Sequence, residues 1–368
     1  MLVIDSHLDL AMNALQWSRD LLQSAYTIRA QEAHTPGKGR GVGTVAFPEM
    51  RKGRMALSFA TCIARSTGRP VPNVDFLSTA QAHAMGMGHF AYYHALERQG
   101  HVRVIGDAAS LDRHMKEWTA WDAAHPDDAS ASAAPASEMK TPPLGFVFSM
   151  EGADPILEPG EVELWWKLGL RMISLSHYGP GRYAGGTGTE FGLGPQGVPL
   201  LKEMKRLNIL LDMTHCSDEA FWEALDHYDG RVMASHNNAR AIVPHQRQFT
   251  DEQIKAIAQR GGVIGAAMDN WMIRPGWRHG DDPALVCLDD AVKHIDYMCQ
   301  LVGSAKHVGI GTDLDGGYGR EGSPRDLDTI ADLQKIPAML AQRGYSRDDI
   351  TAIMWGNWSS FLRTVWTK

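Results

Sequence analysis

The chain has little cysteine, no surplus of basic charge and no long apolar run. Its four cysteines, Cys62, Cys216, Cys287 and Cys299, are scattered over 368 residues without a Cys-x-x-Cys pair. That excludes a disulfide framework and a cysteine-built zinc site, and fits free or buried thiols in a reducing cytoplasm. With 36 Lys+Arg against 43 Asp+Glu the net charge is −7. No face-sized excess of cations is available to neutralise phosphates, which argues against a nucleic-acid-binding protein. No apolar stretch reaches the ~18 residues of a membrane helix. The opening Met1-Leu-Val-Ile-Asp-Ser-His7 has neither a basic n-region nor an apolar h-region, and the end, Arg363-Thr-Val-Trp-Thr-Lys368, has no lipid-anchor tail. The expectation is a cytoplasmic protein that neither enters nor binds membranes. GxxxxGK[ST] does not occur, and no GxGxxG stands directly between a strand-like run and a helix, so no phosphate loop supports a nucleotide site.

What is present is a repeated alternation. Eight short, mostly apolar runs are bounded by Gly, Pro or polar residues: 2–5, 55–60, 144–150, 172–175, 208–213, 232–235, 262–267 and 307–311. Such runs suit strands buried on both faces. Helical stretches lie between them, at 78–99, 161–168, 199–207, 251–258 (after Thr250, a good N-cap) and 288–301. Eight strands alternating with helices predict a (β/α)8 TIM-type barrel, with an open doubly wound sheet as the alternative. Residues 1–368 read as a single barrel domain. The Ala/Ser/Pro-rich stretch 122–137 breaks the pattern and reads as a mobile surface insertion.

The count of 16 histidines is the unusual number, and position decides what it means. Barrel enzymes place their chemistry at the C-terminal ends of strands, and several His and acidic residues fall there. His7 and Asp9 are two apart on an extended run and so share a face. Glu151 ends the apolar run Phe148-Ser-Met150, where an ionised carboxylate needs a cation or hydrogen-bond donors. His215 follows Leu211-Asp-Met-Thr214, and His236 follows Met233-Ala-Ser235. Asp313 closes Gly309-Ile-Gly-Thr312 and is a candidate proton shuttle. Taken singly, each has an ordinary explanation as a polar loop, a helix cap or an Asp/Gly turn. Together, three imidazoles and two carboxylates suit zinc better than calcium or magnesium. Five ligands exceed one tetrahedral site and suit two ions sharing a bridging carboxylate. The implied chemistry is metal-assisted hydrolysis, with a bridging hydroxide as nucleophile.

The other histidines carry less. His34, His83, His89, His94, His101, His114, His227, His279 and His294 read as helix-surface or loop residues, and His125 falls in the insertion. His307 starts the last strand, at the opposite end of the barrel. His245, in a basic loop, is a candidate substrate contact.

With those motifs in order, the chain resembles the membrane (renal) dipeptidase family of zinc dipeptidases, within the amidohydrolase-type barrels. The resemblance is carried by Ile4-Asp-Ser-His-Leu-Asp9, Glu151-Gly152, Leu175-Ser-His177, Asp212-Met-Thr-His215, Ser235-His236, Arg247 and Gly311-Thr-Asp-Leu-Asp-Gly316. Weaker likenesses lie at 197–207, Gly356-Asn357 and Leu362-Arg363, so it spans essentially the whole chain. It implies two zinc ions: His7 and Asp9 on one, His215 and His236 on the other, Glu151 bridging. It implies that His177 contacts the substrate and its tetrahedral intermediate, that Arg247 helps bind substrate, and that Asp313 handles the catalytic proton. It also implies tolerance of a D-residue at the C-terminal position of a dipeptide. Leu8 and Leu314 depart from the family's usual Asn and aromatic, and the Gly-rich loop 178–194 is individual, so substrate choice is the open point. The mammalian relatives' secretion and lipid anchor do not carry over. The expectation is a di-zinc dipeptidase. The alternatives are a di-metal amidohydrolase acting on N-acyl amino acids or another small amide, and a non-catalytic metal-binding barrel. A dipeptide or small amide is the expected partner; homodimerisation is left open.

Overall fold

A computed structural model describes residues 1–68, 71, 74–126 and 140–367. All eight expected strands form. They are β1 (Val3–Leu8), β2 (Met55–Ile63), β4 (Leu144–Glu151), β5 (Leu170–Ser174), β6 (Leu210–Asp212), β7 (Val232–Met233), β8 (Ile264–Ala266) and β9 (Val308–Ile310); a ninth, β3 (Val102–Val104), precedes β4. Every pairing is parallel, in the order β7-β6-β5-β4-β2-β1-β9-β8. A parallel bridge between Ala234 and Ile264 brings the two ends together. The result is a nearly closed barrel of eight parallel strands, as the alternation predicts. Every residue of β1, β2 and β4 is buried, because helices cover the outer face and side chains fill the inner one.

The unforeseen β3 pairs Val102–Val104 with Leu144–Phe146, whereas β5 joins β4 only from Phe148 onward. It therefore covers the part of β4 that β5 leaves open. Val-Arg-Val is too short and too mixed to stand out as a buried run.

At the seam between β8 and β9 the backbones approach closely. A Cβ on Gly265 or Gly311 would collide with the carbonyl oxygen of Ser235 and the hydroxyl of Ser6. Ser6 Oγ donates to the Ser235 and Ile310 carbonyls at 2.5 and 3.0 Å, which ties three strands together inside the barrel.

The helices follow their sequence signals. Ser78 caps Thr79–Arg98, and Thr250 forms a capping box on Asp251–Gln259. Trp118, Trp165 and Trp358 are fully buried between helices and barrel. Three histidines expected at the helix surface or in loops are instead fully buried: His89, His114 and His294. His114 Nε2 donates to the Ala56 carbonyl at 2.7 Å, with its Nδ1 facing Arg103 Nη1 at 3.3 Å. His294 Nε2 donates to the Ile273 carbonyl and its Nδ1 accepts from the Ala239 amide. His307 Nδ1 lies 2.9 Å from the Gly262 carbonyl, ahead of β8 and away from the strand ends that carry the site. Of the stretch 122–137, Asp122–Ala124 end the helix Ala108–Ala124, and 127–137 lie outside the described residues.

Candidate metal centre

Two aspartates shape the mouth of the barrel before any metal chemistry is considered. Asp5 Oδ1 accepts from the amides of His7 and Thr312 at 3.1 and 2.9 Å, and its Oδ2 accepts from the Thr312 hydroxyl at 2.5 Å. Asp212 Oδ1 accepts from the amides of Thr214 and Ser235, both at 3.0 Å. Each carboxylate folds its own strand end into a turn and ties it to a neighbouring strand. Past these clamps the backbone does something uncommon: His215 and Asp313 take left-handed φ angles of 68° and 59°. Non-glycine residues hold that conformation only where surrounding contacts enforce it.

The turns aim the imidazoles inward. The Nε2 atoms of His215 and His236 each lie 3.3 Å from Glu151 Oε1, and His7 Nε2 lies 3.6 Å from it. His7 Nε2 is also 3.8 Å from Asp9 Oδ2 and 3.7 Å from Asp313 Oδ1. Each ring's other nitrogen meets a hydroxyl: Thr61 for His7 at 3.4 Å, Thr187 for His215 at 3.1 Å and Ser235 for His236 at 2.9 Å. This outer support fixes which nitrogen faces the centre. All five expected ligands, His7, Asp9, Glu151, His215 and His236, are buried and brought together.

The donors fit a bound divalent cation. His7 Nε2, Asp9 Oδ1 and Glu151 Oε1 are buried without hydrogen-bond partners, a costly state that a cation relieves. Three overlapping groups offer ligand atoms within 4.8 Å of one another: His7, Glu151 and His236; Glu151, His177 and His215; His7, Asp9 and Asp313. Glu151 is shared by two of them, as a bridging carboxylate would be. The protein's own charges are strained. Burial opposes charge on His7, yet Glu151, Asp9 and Asp313 push its pKa up to about 10. Burial raises the Glu151 and Asp313 carboxyls above the usual range despite His7. Burial first, then Arg247 and the neighbouring rings, hold His215 neutral, as a ligating imidazole must be.

Around this centre opens a cavity of about 530 Å³, lined among others by His177, Tyr178, His245, Arg247, Asp269 and His279. His177 Nδ1 is 2.8 Å from Arg65 Nη1. Arginine can only donate, so Nδ1 accepts and the ring's proton sits on Nε2, which lies 3.8 Å from Glu151 Oε2. Arg247 is almost wholly buried. Its Nη1 donates to Asn237 Oδ1 and its Nη2 to the His236 carbonyl, while Nε has no partner. His245 lies beside it, accepting from the Arg247 amide at Nδ1. Sequence reasoning assigned no role to Asp5, Asp212, Arg65, Thr187 or Asp269. Asp5 and Asp212 sit inside motifs that were read only for their histidines, two and three residues on. Arg65, Thr187 and Asp269 touch the site through tertiary contacts that leave no spacing signal.

Comparison with known proteins places the chain in one family. The model of the membrane dipeptidase family, peptidase family M19, matches residues 1–367. A protein from the pqqA 5′ region of Klebsiella pneumoniae is 31% identical over 234 residues, covering 61% of this chain and 83% of that one. The dipeptidase tcpJ of Claviceps purpurea is 29% identical over 232 residues, covering 60% of this chain but only 52% of its own length. The chain thus spans about half the length of that fungal relative. Among solved structures, the metallopeptidase from Rhodobacter sphaeroides liganded with a phosphinate mimic of L-Ala-D-Ala superposes with a TM-score of 0.77 at 22% identity, covering 100% of this chain and 99% of that one. The metallopeptidase dipeptidase AC superposes with a TM-score of 0.78, also at 22% identity, over 100% and 99% of the two chains. No helix among the described residues is long and apolar enough to cross a membrane.

Proposed function

Because the chain belongs to the membrane dipeptidase family, peptidase family M19, we propose that it is a zinc-dependent dipeptidase, acting on dipeptides that include L,D pairs. The observation that carries the reading is the convergence of three imidazole nitrogens on the Glu151 carboxylate, with Asp9 beside His7 and with three of these buried atoms otherwise unpartnered. His7 and Asp9 would hold one ion, His215 and His236 the other, with Glu151 between them. The ions, zinc by the donor set, would supply the Lewis acidity that polarises an amide carbonyl and makes water nucleophilic at neutral pH.

The chain's own residues do the rest. Arg247 receives the substrate's terminal carboxylate, a task suited to a planar guanidinium already braced by two acceptors. His177, its proton held on Nε2 by Arg65, donates to the oxygen that gains charge as the carbonyl is attacked. Asp313 accepts the proton released by the attacking water and delivers it to the leaving amine. Burial raises its pKa and suits it to carry that proton. The phosphinate dipeptide mimic bound by the Rhodobacter protein supports an L,D substrate here.

The test is a dipeptide-library screen with metal content measured on the same preparation. About two equivalents of zinc, dipeptide turnover, its loss on chelation and its return with zinc are expected. Protein that binds no zinc, or stays inactive on every dipeptide once reloaded, sinks the reading.

A further inference from the structure

Among the described residues, Asp269 is the one carboxylate lining the cavity that belongs to none of the three metal-competent groups. It follows β8 and stands at the N-cap of the short helix Asn270–Ile273, yet its side chain does not cap that helix. It is 95% buried, with 5% exposure, and its Oδ1 has no hydrogen-bond partner. Its near neighbour is His279 at the rim, with Nε2 3.4 Å from Oδ2. An aspartate at an N-cap ordinarily spends its oxygens on the first amides of the helix. This one is withheld from them and borders the cavity with an unmet acceptor, a costly arrangement unless something cationic completes it.

The same cavity holds the opposite feature. Arg247 is as deeply buried, and its Nε is an unmet donor. Besides the ligand cluster, the cavity thus presents unmet cationic donors, Arg247 Nε and Arg65 Nε, and an unmet anionic acceptor, Asp269 Oδ1. That polarity matches a zwitterion, with a carboxylate at one end and an ammonium at the other. It does not match an N-acyl amino acid, which has the carboxylate alone and would leave Asp269 Oδ1 buried without a partner, with His279 on Oδ2 only.

Resting on the dipeptidase reading, we propose that Asp269 is the specificity residue that receives the free α-ammonium group of the substrate's N-terminal residue. It acts in binding and takes no part in proton transfer. It restricts the enzyme to unblocked dipeptides and excludes N-acyl amino acids.

The test compares L-alanyl-D-alanine with propionyl-D-alanine, the same amide with hydrogen in place of the ammonium. The native enzyme should favour the dipeptide by about 100-fold in kcat/KM. Asp269→Asn should lose about 100-fold on the dipeptide and change less than about threefold on propionyl-D-alanine, with zinc content and Tm maintained. If turnover of propionyl-D-alanine is too slow to follow, its Ki as a competitor gives the same comparison. Asp269→Ser provides a second variant should the first fold poorly. Equal losses on both compounds, or no loss on the dipeptide, overturn the proposal. So does a loss confined to L-lysyl-D-alanine, which would assign Asp269 to a cationic side chain. Each of those outcomes leaves the dipeptidase reading standing. A zinc-loaded native enzyme that cleaves no dipeptide defeats both.

Discussion

Histidines are equally buried in two regions of this molecule, and burial is all they share. In the helical wall, His114 and His294 have both ring nitrogens occupied by fixed protein partners, a carbonyl on one side and an amide or guanidinium on the other. At the barrel mouth, His7, His215 and His236 each spend Nδ1 on a hydroxyl and turn Nε2 toward one carboxylate oxygen. The wall histidines are complete and act as hydrogen-bonded struts. At the mouth, His7 Nε2 has no hydrogen-bond partner, and the Nε2 atoms of His215 and His236 meet each other at 3.3 Å. Convergence of unmet atoms separates a centre from a core; burial does not.

The sharpest way to break that contrast is at Asp313, which borders the mouth cluster and is assigned a proton instead of a metal. Asp313→Asn should keep both ions and lose about 10²- to 10⁴-fold in kcat, read by steady-state kinetics with metal analysis. Loss of an ion would instead make Asp313 a ligand. A smaller effect tests the hydroxyl support. Thr187→Val removes the partner of His215 Nδ1 and should weaken metal affinity about 10- to 100-fold in a chelator competition titration. Unchanged affinity would mean that the hydroxyls are incidental and the mouth rings are aimed by backbone alone.

The smallest effect belongs to the wall. Burial lowers the pKa of His114 and His294 from 6.5 to about 4. Between those values the unfolded chain binds more protons than the folded one, so stability rises with pH and is lost as pH falls from about 6.5 toward 4. Each histidine should cost about 2 kcal/mol on going from pH 7 to pH 5. Denaturant titrations of metal-free protein should therefore show a smaller acid loss for His294→Asn than for the native chain. An identical acid loss would place the titrating groups elsewhere.

Much of this architecture was legible in the sequence, for a physical reason. A strand buried on both faces must be an unbroken apolar run, so Leu144–Met150 and its counterparts stood out. A polar residue ending such a run needs an explanation, which drew attention to Glu151, His215 and His236. The wall histidines were misread because their partners are remote: Ala56 lies 58 residues from His114, and Ile273 lies 21 from His294. Arg65 was invisible for the same reason, since it meets His177 across 112 residues. Asp269 carried the opposite trap. At the start of a helix an aspartate looks like a cap, and only its unmet oxygen shows that it is not one.

The Asp5 clamp has a further consequence, for assembly. It joins β1 to the segment after β9 across 307 residues, a long-range closure that spans most of the chain. His7 is aimed by one side of that closure and Asp313 is delivered by the other. His7 and Asp313, on two sides of the centre, are therefore set by one contact between the first strand and the last. A barrel in which that seam stays unmade loses the aim of His7 and of Asp313 together, however many of its other strands have paired.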